Sequence, residues 1–148
     1  MKHILILFAL VLSSLTAWGQ EDLKTGSLLG KSSPFMGRKD VTTIYMIGQS
    51  LKSYRLSMYS SLSIQTPSEE DTKLVEQALA ADLDKAAEKQ IVRRGSRIFY
   101  LFMQFPDRNG LHRYVIYRNK GAATGTERQM RLIYMEGKAT RKDLQEMF

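Results

Sequence analysis

Residues 97–119, RIFYLFMQFPDRNGLHRYVIYRN, decide the fold. Positions 97–105 are apolar on both parities, which predicts a strand covered on both faces, at the centre of a sheet. Pro106-Asp107-Arg108-Asn109-Gly110 follows, and its Asn-Gly step is the chemistry of a tight strand reversal. Positions 111–118 return as the antiparallel partner, with Leu111, Val115 and Tyr117 towards the core and Tyr114 and Ile116 on the other face. A soft connection, NKGAATGT at 119–126, leads to a third strand at 129–137 around Leu132, Ile133, Tyr134 and Met135. The product is an antiparallel meander.

Upstream, VTTIYMI at 41–47 is rich in β-branched and aromatic residues and predicts a buried strand. Leu51 and Tyr54 stand at helical spacing, enough for one or two turns. At 56–64, Leu56, Met58, Leu62 and Ile64 alternate with Ser57, Tyr59, Ser61 and Ser63, so a second strand buries one face. The link between these strands is short for a parallel crossover, and their pairing stays open. Thr66-Pro67-Ser68-Glu69 has the form of a capping box with Thr66 at the N-cap. The helix it starts is expected to run to about Arg94, carrying Val75, Leu79, Leu83, Ala86, Ala87 and Ile91 as its apolar stripe and ending at Gly95. Thr140-Arg141-Lys142-Asp143 caps a short last helix with Leu144, Met147 and Phe148. The predicted order is β-α-β-α-β-β-β-α: an α+β fold whose mostly antiparallel sheet of about five strands packs against one long helix.

The first twenty residues, MKHILILFALVLSSLTAWGQ, read as a secretory signal peptide. Lys2 and His3 are the basic start, 4–12 the apolar run, and Ala17-Trp18-Gly19 the small-x-small cleavage site. The run is far short of the roughly 20 residues a spanning helix needs, so no transmembrane segment is expected after cleavage. The expected organisation is a signal peptide at 1–19, a Gly/Ser/Pro-punctuated tether at 20–40 and one α+β domain at 41–148. The chain has no cysteine. Disulfide staples are therefore excluded, and so is a lipid anchor on a cleavage-site cysteine. The expected setting is the bacterial periplasm or exterior.

The formal net charge is +7. In a cytosolic protein that balance points to nucleic acid. Beyond the inner membrane the available anions are lipid phosphates, lipopolysaccharide and acidic glycans, and no nucleic-acid partner is expected. No catalytic constellation emerges. His112 is the one histidine after the leader, no metal-ligand spacing accompanies it, and no G-x-S-x-G elbow or phosphate-cradling loop occurs. No cofactor is expected. Arginines crowd the second half, from Arg93 and Arg94 through Arg97 and Arg108 to Arg128, and tyrosines interleave with them. Arg113, Tyr114, Tyr117, Arg118, Arg131 and Tyr134 form the candidate ligand-binding set, since guanidinium groups grip phosphate or carboxylate and rings stack on sugars. The same arginines can instead lie over a half-buried sheet and cover its rings.

The R-x-F-Y-L strand at 97–101, R-Y-V-I-Y-R-N at 113–119, L-I-Y-M-E-G-K-A-T at 132–140 and the W-G-Q ending of the leader resemble a family of small exported proteins of unknown function from Bacteroides-type gut and oral bacteria. The likeness covers residues 41–148. It implies a cell-envelope setting and brings no activity, cofactor or catalytic residue. The leading reading is a non-enzymatic exported domain that binds an anionic envelope component: a glycan, lipopolysaccharide or a protein. Two others stay open. One is a hydrolase with a dispersed site at His112, Glu136 and serine hydroxyls, and the other is a homo-oligomeric structural module using a strand edge or Leu28-Leu29.

Overall fold

The computed structural model describes residues 22–30, 33–121 and 129–147. The signal-peptide reading, most of the 119–126 connection, Arg128 and Phe148 lie outside the described residues. In chain order the elements are α1 (Gly26–Leu29), β1 (Val41–Ile47), a 3-10 turn (Gln49–Tyr54), β2 (Leu56–Ile64), α2 (Glu69–Leu83), β3 (Glu88–Arg94), β4 (Arg97–Arg108), β5 (Leu111–Asn119), β6 (Met130–Gly137) and α3 (Arg141–Met147).

The strands form one six-stranded antiparallel sheet in the order β1-β2-β6-β5-β4-β3. Asn109 and Gly110 turn β4 into β5 with φ of 55° and 75°, the doubly left-handed geometry that suits the right-handed twist of a hairpin. β4 is interior, as its apolar faces require. The first two strands pair antiparallel, Val41 opposite Ile64 and Ile47 opposite Met58.

Several of the sequence expectations are corrected. The sheet has six strands, not five, and no helix runs from 66 to 94. Ser68, not Thr66, is the N-cap: its Oγ accepts from Asp71 N–H at 3.1 Å, and Asp71 Oδ2 accepts from Ser68 N–H at 2.9 Å. The helix stops at Leu83 because residues 88–94 are needed elsewhere. They complete the outer side of β4, where Ala87 N–H donates to Gln104 O and Ile91 lies opposite Leu101. Gly95, expected to end the helix, has φ of 63° and turns β3 into β4 instead. β1 departs from expectation in burial: it is the edge strand, and Thr42 to Ile47 are exposed on both faces.

The sheet is sandwiched. On one face Val75 and Leu79 of α2, Leu28 and Leu29 of α1, and Leu23 and Phe35 cover Leu62, Leu101, Met103, Val115, Tyr117, Leu132 and Tyr134. The stretch read as a tether thus contributes buried side chains. Asp82, wholly buried, fastens it by accepting from Lys24 N–H, Thr25 N–H and Thr25 Oγ–H at 2.8–2.9 Å. On the second face Leu51 of the 3-10 turn, Ala139 and Leu144 of α3 cover Phe102, Tyr114, Ile133 and Met135. Leu56 belongs to this second face, because the register of β2 shifts between Leu56 and Met58.

Candidate functional site

The cover on the second face is partial. Beyond α3 it leaves a groove of about 330 Å³ lined by Ile116 and Arg118 of β5, Arg131 and Ile133 of β6, and Lys120 and Gln129 beside them. A smaller hollow of about 110 Å³ continues from Arg118 towards Tyr100, Phe102, Arg141 and Leu144. The sheet itself places the cations. Alternate residues of a strand share a face, so Ile116, Arg118 and Lys120 point together, as do Arg131 and Ile133. The register then sets Arg118 directly opposite Arg131 and Ile116 opposite Ile133.

Both arginines are exposed. Arg118 lies 5.7 Å over the Tyr100 ring, and Arg131 Nε donates to Ser63 Oγ at 3.3 Å. Neither pairs with a carboxylate among the described residues. Two like charges directly opposite on one sheet face repel. The result is a shallow apolar floor of isoleucines, ringed by cations and open to solvent.

The six candidate residues from the sequence divide between the two faces. Arg118 and Arg131 line the groove. Tyr114 shares their face but is buried under α3, where its hydroxyl donates to Ala139 O at 2.7 Å. Burial raises its phenol to about 12. Arg113, Tyr117 and Tyr134 point the other way, into the helix-covered core. Arg113 Nε donates to the Tyr134 hydroxyl at 3.1 Å, and its guanidinium also pairs with Asp22. Burial disfavours that charge, but Tyr134 and Asp22 outweigh it and hold the group above its usual value. Burial, then the hydrogen bond to Glu136, raises the Tyr134 phenol, and burial raises that of Tyr117. These three belong to the packed core and do not line the groove.

Lys120, Gln129 and the two isoleucines complete the groove although none of them is in the candidate ligand-binding set. Counting alternate positions to either side of Arg118 and Arg131 would have found them. The dispersed hydrolase arrangement does not converge. His112 Nδ1 lies 2.9 Å from Asp107 Oδ1 beside the β4–β5 turn, whereas Glu136 is hydrogen-bonded to Tyr134 on the opposite face. Among the described residues no group of three His, Asp or Glu side chains is placed to hold a metal ion, and no helix is long and apolar enough to cross a membrane.

Fold and groove together define a six-stranded antiparallel α+β protein with a basic, partly covered sheet face. The chain belongs to the family of unknown function DUF6108, whose family model matches residues 12–148. Comparison with curated proteins and with solved structures gives no match.

Proposed function

We propose that the protein is an exported, non-enzymatic domain that holds a phosphate- or carboxylate-bearing glycan of the bacterial envelope in the Arg118–Arg131 groove. The observation that carries this reading is the cross-strand arginine pair, exposed and without a carboxylate partner among the described residues. An anion seated between the two guanidinium groups converts their repulsion into two charge-assisted, fork-shaped contacts. Ile116 and Ile133 offer a flat apolar floor, and Tyr100 beside Arg118 offers a ring for a sugar to stack on. The leader at 1–19 and the basic balance of the chain support an envelope setting. The likeness to exported proteins of Bacteroides-type bacteria points the same way.

The test is retention of the full-length chain on immobilised lipopolysaccharide and on an acidic polysaccharide. Arg118→Glu with Arg131→Glu should abolish retention while the circular dichroism spectrum stays that of the parent. Arg113→Glu is unsuitable, since it would bury an unpaired charge. Added salt should weaken retention of the parent, because the contacts are exposed ionic ones. Unchanged retention of the folded double variant would discard the reading.

A further inference from the structure

The two edges of the sheet are built differently. β3, at one edge, carries Glu88, Lys89, Arg93 and Arg94, the charged guard that keeps an edge from pairing with another chain. β1, at the other edge, is VTTIYMI: seven residues without a charge, a proline or a register shift. Its large side chains are uncovered on both faces, with Ile44 at 42%, Tyr45 at 62%, Met46 at 36% and Ile47 at 61% exposure; Tyr54 of the 3-10 turn that follows is 51% exposed. Met36 and Leu74 are the other exposed large apolar side chains among the described residues. The apolar surface is therefore concentrated at one edge.

The free backbone groups have a defined phase. Gln65 N–H donates to Asp40 O at 2.9 Å, so the even-numbered residues of β1 turn their polar backbone towards β2. Thr43, Tyr45 and Ile47 turn theirs outward. An antiparallel two-fold centred on Ile44 sets Thr43 opposite Tyr45 of a second copy, outward groups facing outward groups, and Val41 opposite Ile47 of that copy, where Val41 N–H is already engaged by Arg38 O at 3.3 Å. Each face then meets its like: Ile44 against Ile44 and Thr42 against Met46 on one side, Val41 against Ile47 on the other.

From this we infer that β1 pairs with β1 of a second copy, joining two sheets into one of twelve strands. A second copy is the occupant that the charges favour. Two chains of net charge +7 repel wherever their basic surfaces meet, and β1 offers an uncharged seam. An acidic partner drawn to the basic body would find no cation on this strand. The pairing is isologous, as a closed dimer requires.

The chain has no cysteine, so single introduced thiols report the register without ambiguity. Across the two-fold, Ile44 faces Ile44 as a non-hydrogen-bonded pair with Cα atoms about 4.5 Å apart, within the span of a disulfide. Two Ile47 residues would lie six positions apart along the seam, about 20 Å. The full-length protein should show a monomer–dimer equilibrium in sedimentation velocity across a concentration series. Mild oxidation should give a covalent dimer with Ile44→Cys and leave Ile47→Cys monomeric. Ile44→Lys should shift sedimentation to the monomer. Should Ile44→Lys fail to fold, the two cysteine variants still decide. A chain that stays monomeric at every concentration, as it would if the edge serves a foreign peptide, overturns the inference. Cross-linking of both cysteine variants to the same extent overturns it equally.

Discussion

Gly137 shows how a single absent methyl group holds the sheet together. A Cβ placed there would lie 2.5 Å from Arg55 O and 2.6 Å from Leu56 Cα, both backbone atoms that cannot swing aside. The register shift at the start of β2 brings the two strands this close. Gly137→Ala is therefore expected to cost about 3 kcal/mol, at the upper end for an overpacked site, measured by urea unfolding. Asp82 makes the opposite kind of demand. Wholly buried, its carboxylate takes three donors from Lys24 and Thr25. In Asp82→Ala the buried Thr25 donors and the part-buried Lys24 N–H lose their acceptor, at a cost of about 3 kcal/mol. Hydrogen exchange at the amides of residues 24–29 should accelerate before that of the sheet does.

Among the elements, α2 is tied at its N-terminus by a charge cluster with a readable pH dependence. Arg38 donates to Asp71 at 2.9 and 3.0 Å and to Asp40 at 2.9 and 3.1 Å. The hydrogen bond from Arg38, aided by Ser68, holds the Asp71 carboxyl below its ordinary value, and Arg38 does the same for Asp40. A folded-state pKa below the unfolded one adds stability above about pH 4. That stability is lost as the pH falls through the lowered value. Arg38→Met should thus be less stable than the parent at pH 7, and the difference should shrink when both are unfolded by urea at pH 2.5.

The elements also show what the sequence could and could not convey. The β4–β5 hairpin was legible because strand pattern and turn chemistry agree locally. The end of α2 was not. Ala86, Ala87, Lys89 and Gly95 are individually good helix and helix-stop residues, and only the unpaired outer side of β4 draws 88–94 into the sheet. Propensity is local and the deciding partner lay further along the chain. β1 was legible as a strand but not as an edge, since composition does not say how many neighbours a strand has.

For the whole molecule, the groove was half legible. Arg118 and Arg131 were named from their chemistry. Arg113, Tyr117 and Tyr134 were grouped with them although adjacent residues of a strand, such as Arg113 and Tyr114, cannot share a face. Which parity faces the helices depends on α2 and the 22–35 stretch, and the register of β5 on β6 brings the two arginines together across residues outside either strand. The cluster of buried Arg113 and Tyr134 with their more exposed partners Asp22 and Glu136 is expected to matter for stability alone. Tyr134→Phe should lower the urea midpoint modestly and leave retention on lipopolysaccharide unchanged.

The strand order has a consequence for how the chain is made. β2, early in the chain, finds its inner neighbour in β6, the last strand, with Met58 opposite Glu136. A nascent chain leaving the ribosome therefore cannot close its sheet before β6 has been made. Until then only the β1–β2 hairpin and the β3–β4–β5 meander can pair, and an isolated hairpin is marginal in water. A polypeptide wired this way keeps its two halves apart until β6 arrives to bridge them, and acquires its shape only then.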